Sequence, residues 1–129
     1  DRLRAQFVDN PMTQHIQPAT LIVEDRSHPA TAHLGVVWQR SDEWYNFAAS
    51  PRGNTQVLVS IDEATYDPEK SPMGADHPMV WWHRVGKGRV FYSALGHTSE
   101  SYSEQDFRAF IQGAIIWGLD IPKTNDSEE

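Results

Sequence analysis

His97 is the residue best placed by type and position to do chemistry. It sits between Gly96 and Thr98, after an apolar run that ends at Leu95. The junction between a strand and the following loop is where α/β proteins place reactive groups. A flanking glycine lets a ligand or another backbone come close. An imidazole there could act as a general acid or base; it could equally cap or hydrogen-bond the next loop. Asp42-Glu43-Trp44-Tyr45 is the second constellation. Paired carboxylates beside aromatic rings suit acid–base work, and aromatic faces pack on the apolar faces of sugars. The competing reading is a salt-bridged strand edge with Trp44 and Tyr45 in the core. Trp81-Trp82-His83 is the third. On a strand, Trp81 and His83 share one face and Trp82 takes the other.

The remaining histidines are His15, His28, His33, His77 and His83. None has the spacing of three or four that puts two metal ligands on one helix face, or the spacing of two that does so on a strand. They read as loop and surface histidines. A divalent metal held by His with Asp or Glu, assembled in three dimensions, stays open. The sequence holds no cysteine, which removes disulfides, thiolate zinc sites and a cysteine nucleophile. Gly86-Lys87-Gly88-Arg89 lacks the pattern of a phosphate-binding loop and reads as a hairpin turn. No G-x-S-x-G elbow is present.

These residues need a scaffold, and 129 residues supply one domain's worth. Hydrophobic residues make up 39% and charged residues 22%, a globular balance. The net charge of −7 and the scattered Lys and Arg disfavour nucleic acid and anionic membrane surfaces as partners. No apolar run approaches the ~20 residues that span a bilayer. The chain opens at Asp1, without an initiator Met or a signal peptide, which reads as a processed or excised piece. Bacterial cytoplasm and a secreted or periplasmic location both remain open.

Residues 1–18 read as irregular, with Pro11 and Pro18 marking turns and a short strand over Leu3–Val8. Thr20–Glu24 and Gln56–Ile61 read as strands. Val36–Trp38 and Trp44–Phe47 read as two extended pieces around Ser41-Asp42-Glu43. Ser27–Leu34 is a loop with one helical turn, and Asp67–Pro78 a surface loop. Met79–Val85 and Arg89–Leu95 form a β-hairpin around Gly86-Lys87-Gly88. A C-terminal helix follows, opened by Ser103 and Asp106. Its apolar face is Phe107, Phe110, Ile111, Ala114, Ile115, Gly118 and Leu119, and Asp120 and Pro122 end it. The predicted class is α+β, β-rich, with one C-terminal helix. A single partial domain spans 1–122, and 123–129 form an acidic flexible tail.

Five motifs in order carry a resemblance: His28-Pro29-Ala30-Thr31, Asp42-Glu43-Trp44-Tyr45, His77-Pro78-Met79-Val80-Trp81, Gly86-Lys87-Gly88-Arg89-Val90-Phe91-Tyr92 and Leu95-Gly96-His97-Thr98, with a helix holding Gly113 and Trp117. Over about Ala19 to Leu119 the chain resembles the trehalose-utilisation (ThuA-like) family, relatives of class I glutamine amidotransferases with a flavodoxin-like α/β fold. A whole domain of that family is nearly twice this length, and this chain resembles its C-terminal half. The resemblance implies a carbohydrate or sugar derivative as ligand. It places His97 where the amidotransferase-like fold carries its catalytic histidine. The absent cysteine argues against glutamine hydrolysis. A missing half, an apolar helix face and open strand edges imply a homo-oligomer, a dimer.

Two functions follow as expectations. The first is an enzyme, hydrolase-like, acting on a sugar or glycoside. Its catalytic set is His97, Glu43 and Asp42, and its substrate-binding set is Trp44, Tyr45, Trp81, His83 and Thr98, with an optional divalent metal. The second is a non-catalytic module that binds a glycan or a protein partner.

Overall fold

The computed structural model describes residues 7–9 and 16–119. Residues 3–6 of the predicted first strand, His15 and the acidic tail lie outside the described residues. A two-stranded ribbon pairs β1 (Phe7–Asp9) with β4 (Asn46–Phe47). The main sheet contains β2 (Ile16–Val23), β3 (Val37–Glu43), β5 (Gln56–Ile61), β6 (Pro78–Val85) and β7 (Gly88–Ser93). Its order is β3-β2-β5-β6-β7, and every neighbour is antiparallel. None of these pairs is the parallel kind that opens a flavodoxin-like sheet. One helix, α1 (Gln105–Gly118), follows a 3-10 turn at Ser99–Ser103. The β-rich α+β class is therefore what the chain forms.

The hairpin and β5 form at the predicted positions. Gly86 turns the hairpin with φ +57, a conformation that favours glycine. Two other expectations change. Pro18 does not end an irregular segment but lies inside β2, facing Ser41 of β3. The β5 partner of β2 begins only at Leu21, so the Pro18 nitrogen costs no ladder bond on that side. Ser41, Asp42 and Glu43 do not separate two extended pieces but continue β3 to its end. Trp38, Arg40 and Asp42 alternate inward along that strand.

The helix also differs. Glu104, not Ser103, precedes its first turn, and no side chain caps it. Phe107, Phe110 and Gly113 are its buried positions, while Ile115 and Leu119 are exposed. Gly113 sets this rotation. A Cβ there would lie 2.2 Å from the Pro29 carbonyl oxygen, so only glycine lets the helix seat against the 29–30 backbone. Trp117 completes the inner face. It meets Trp82 at 5.1 Å between ring centroids and His28 at 4.9 Å.

Candidate active site

β3 and β7 are the two edges of the main sheet. In a flat sheet four strand spacings would hold them about 19 Å apart. Here the sheet curls, and the chain after β7 returns against the end of β3. Asp42, on the inward face of β3, makes the join. Its Oδ2 accepts from Gly96 N at 2.7 Å, and its Oδ1 from His97 N at 3.0 Å and Glu43 N at 2.9 Å. Arg40 Nη1 donates to the same carboxylate. Gly96 takes φ +94, and a Cβ there would come within 2.7 Å of Phe107 Cζ. Tyr102 Oη donates to the Gly96 carbonyl at 3.0 Å. The loop that carries His97 is thus held at its backbone, apart from its imidazole.

Arg40 extends the join to the helix. Its side chain is 1% exposed. The guanidinium bridges Asp42, Ser101 Oγ at 2.8 Å and Glu104 at 3.1 Å. It also lies over the rings of Phe107 and Trp38, at 4.8 and 5.4 Å from their centroids. Thr98 caps the intervening 3-10 turn, its hydroxyl accepting from Ser101 N.

The imidazole of His97 projects from this frame with half its side chain exposed. Its Nε2 lies 2.5 Å from Oε2 of Glu43, whose own side chain is 2% exposed. Its Nδ1 lies 3.2 Å from the Tyr45 hydroxyl. Burial, then the charge of Glu43, the Tyr92 hydroxyl and Asp42, push the Tyr45 phenol above its ordinary range. The Glu43 carboxylate only accepts, so Nε2 carries a proton, and in the neutral imidazole Nδ1 is left to accept from the Tyr45 O–H. The proton order that follows is Tyr45 O–H to Nδ1, then Nε2–H to Glu43. It is a hydrogen-bonded chain of phenol, imidazole and carboxylate with one open side.

The predicted site residues fall into three places. His97, Glu43 and Tyr45 meet. Asp42 and Thr98 stand beside them, but they bind backbone and shape the loop. Asp42 is wholly buried, and both of its oxygens accept hydrogen bonds. Trp44, Trp81 and His83 are not brought to the cluster's open face. Trp44 is buried, and its Nε1 donates to the Gln17 carbonyl. Trp81 is buried and stacked on Tyr92 at 4.3 Å. His83 is half-buried on β6, with its Nδ1 enclosed and unpaired. The two indoles therefore form core and not a platform, and Tyr45 is the aromatic at the site.

Sequence reasoning missed Arg40, Ser101 and Glu104. The signal was the parity of Trp38-x-Arg40-x-Asp42, which puts the charged pair on the same face as a core tryptophan. It also read His28 and His77 as surface histidines, and both are buried. His28 is boxed by Trp82, Phe91 and Trp117. Its Nδ1 accepts from Ala30 N, and burial, opposed by the Asp25 charge, pulls its pKa down to about 4. Among the described residues no group of three His, Asp or Glu is placed to hold a metal ion. Glu43 and His97 could supply two ligands at most.

Fold and site together define a strand-rich α+β unit with a His–carboxylate pair where its sheet closes. The family model described as trehalose utilisation (ThuA) matches residues 2–118, and the chain belongs to that family. A ThuA-like protein from Bacteroides uniformis is 25% identical, with a TM-score of 0.72 over 92% of this chain and 49% of its own. A second, from Parabacteroides merdae, is 20% identical and shares the fold, with a TM-score of 0.59 over 81% of this chain and 39% of its own. This chain spans about half the length of these solved relatives. No curated protein matches.

Proposed function

We propose that the chain carries the acid–base part of a site that acts on a sugar or glycoside. The observation that carries this is the His97–Glu43 pair, 2.5 Å apart, with the imidazole half exposed and the carboxylate sealed. A buried carboxylate stabilises an imidazolium with little solvent screening. Tyr45 relays the proton: its O–H passes to Nδ1 as the phenol oxygen takes a proton from a sugar hydroxyl or a water beside it, and the same route returns the proton to the leaving oxygen. Asp42 and Arg40 hold the loop. The carbohydrate follows from the family description, trehalose utilisation. A divalent cation does not fit the described residues, which offer two ligands, so no step is routed through one. A homodimer belongs to the same proposal, checked by elution volume.

The test is product analysis by mass spectrometry. The purified chain is incubated with trehalose and a panel of disaccharides and oligosaccharides, with and without divalent metal. Turnover should fall by roughly 10²–10⁴ in both His97→Ala and Glu43→Gln. Full turnover in both variants would remove the assigned roles. Saturable sugar binding without product would make the chain a binding module instead.

A further inference from the structure

His77 lies in the loop before β6, far in sequence from both Tyr45 and His97, and it is wholly buried. Its carbonyl accepts from Ile61 N at 2.9 Å, which fixes it to β5. Its Nε2 lies 2.8 Å from the Tyr45 carbonyl oxygen. A carbonyl only accepts, so Nε2 carries the proton. Its Nδ1 lies 3.3 Å from the Tyr66 hydroxyl and 3.4 Å from Oε1 of Glu63. Burial, then the Glu63 charge, push the Tyr66 phenol upward; with Nε2 protonated, Nδ1 of the neutral ring is left to accept from the Tyr66 O–H. Glu63 is itself tied down by Met73 N and Gly74 N.

Tyr45 stands in the two-residue link between β3 and β4, outside either ladder. Its hydroxyl is the group that meets His97 Nδ1. We infer that His77 is a positioning residue for the His97 site: it pins the Tyr45 main chain so that the phenol fixes the tautomer of His97. The inference rests on the proposed acid–base reading for its functional meaning, and on geometry for the coupling itself. Two histidines, neither near the other in sequence, then act in series. His77 Nε2–H holds the Tyr45 carbonyl, and the Tyr45 O–H holds His97 Nδ1.

The experiment reads the ring nitrogens of His97 by NMR in the ¹⁵N-histidine-labelled chain. Wild type should show the Nε2–H tautomer, and Tyr45→Phe should reduce that preference by about fivefold, the net worth of one hydrogen bond. His77→Leu should do the same, although His77 reaches Tyr45 through the main-chain carbonyl. His77→Gln keeps an N–H within reach of the Tyr45 carbonyl and should restore the wild-type pattern. If His77→Leu does not fold, Tyr66→Phe loosens the same ring and should move His97 in the same direction. A His97 pattern that stays at wild type in His77→Leu or Tyr66→Phe overturns the inference, as does one indifferent to Tyr45→Phe. None of these readings uses turnover. Failure of the sugar assay with the coupling intact would therefore strike the proposed function alone.

Discussion

Two arginines in this chain do the same work in different surroundings. Arg40 bridges Asp42 and Glu104 with its side chain 1% exposed. Arg52 bridges Glu24 and Asp76 with its side chain 46% exposed. Each has a glycine nearby. Gly96 is bound by the Arg40 cluster and sits in a left-handed conformation against Phe107, whereas a Cβ on Gly53 would meet nothing within 4 Å. The difference teaches where an ion pair has consequences. Around Arg52, water competes for every charge, and the bridge ties one surface turn to another. Around Arg40, the guanidinium and Asp42 are sealed among each other, Ser101, two rings and the backbone of the His97 loop, and Glu104 alone of the three charges described reaches the surface. The His97 loop hangs on the buried clamp, whereas the exposed bridge joins Glu24 and Asp76.

The sharpest break of that comparison is Asp42→Ala. It removes the buried partner of the Arg40 guanidinium, which keeps only the partly exposed Glu104 as a carboxylate, and leaves three backbone N–H groups unpaired, and should cost about 3–5 kcal/mol in urea unfolding. A cost equal to that of Arg52→Ala would show that burial makes no difference here. Next comes the glycine pair. Gly96→Ala should cost about 1–3 kcal/mol through its clash with Phe107, while Gly53→Ala should stay within about 0.5 kcal/mol. Equal melting temperatures for the two variants would contradict the strain assigned to Gly96.

The smallest effect is Arg52→Ala, expected below about 1 kcal/mol at neutral pH. It carries a pH signature. The Arg52 hydrogen bond, opposed by partial burial, holds the Glu24 carboxyl below its ordinary value of 4.5. The unfolded chain therefore binds the Glu24 proton first as pH falls. The stabilisation is complete above about pH 4.5 and is lost below it. Arg52→Ala should flatten the stability curve in that acid window and nowhere else. A loss of stability that persists unchanged at lower pH would place the effect of Arg52 outside its ion pairs.

What the sequence makes legible follows the range of the interaction. The β6–β7 hairpin is local, and its turn glycines and alternating aromatics announce it. His97 and Glu43 are legible as reactive types, because a histidine after a strand and a carboxylate beside aromatics are local facts too. Their meeting is not legible. It depends on the curl of a sheet whose edges are set by pairings across the whole chain. Asp42 looks like a second acid for the same reason, since nothing near it in sequence reveals the Gly96 and His97 N–H groups that occupy it. Trp44 and Trp81 illustrate the opposite error. An aromatic beside a polar cluster suggests a ligand platform, yet the core has first claim on large apolar rings. His77 sits in a stretch rich in Pro and charge, where burial leaves no periodic mark.

The join between the two sheet edges also has a history in time. The Asp42–Gly96 bond links residues 54 apart, and the Arg40–Glu104 pair links residues 64 apart. Contacts of that span cost the most chain entropy to form, and they reward the chain only after the intervening strands have paired. The hairpin, whose partners are neighbours, carries no such delay. Contact order predicts that assembly runs from the hairpin outward. On that expectation, the pair of groups that could move a proton meets only after the strands between them have paired.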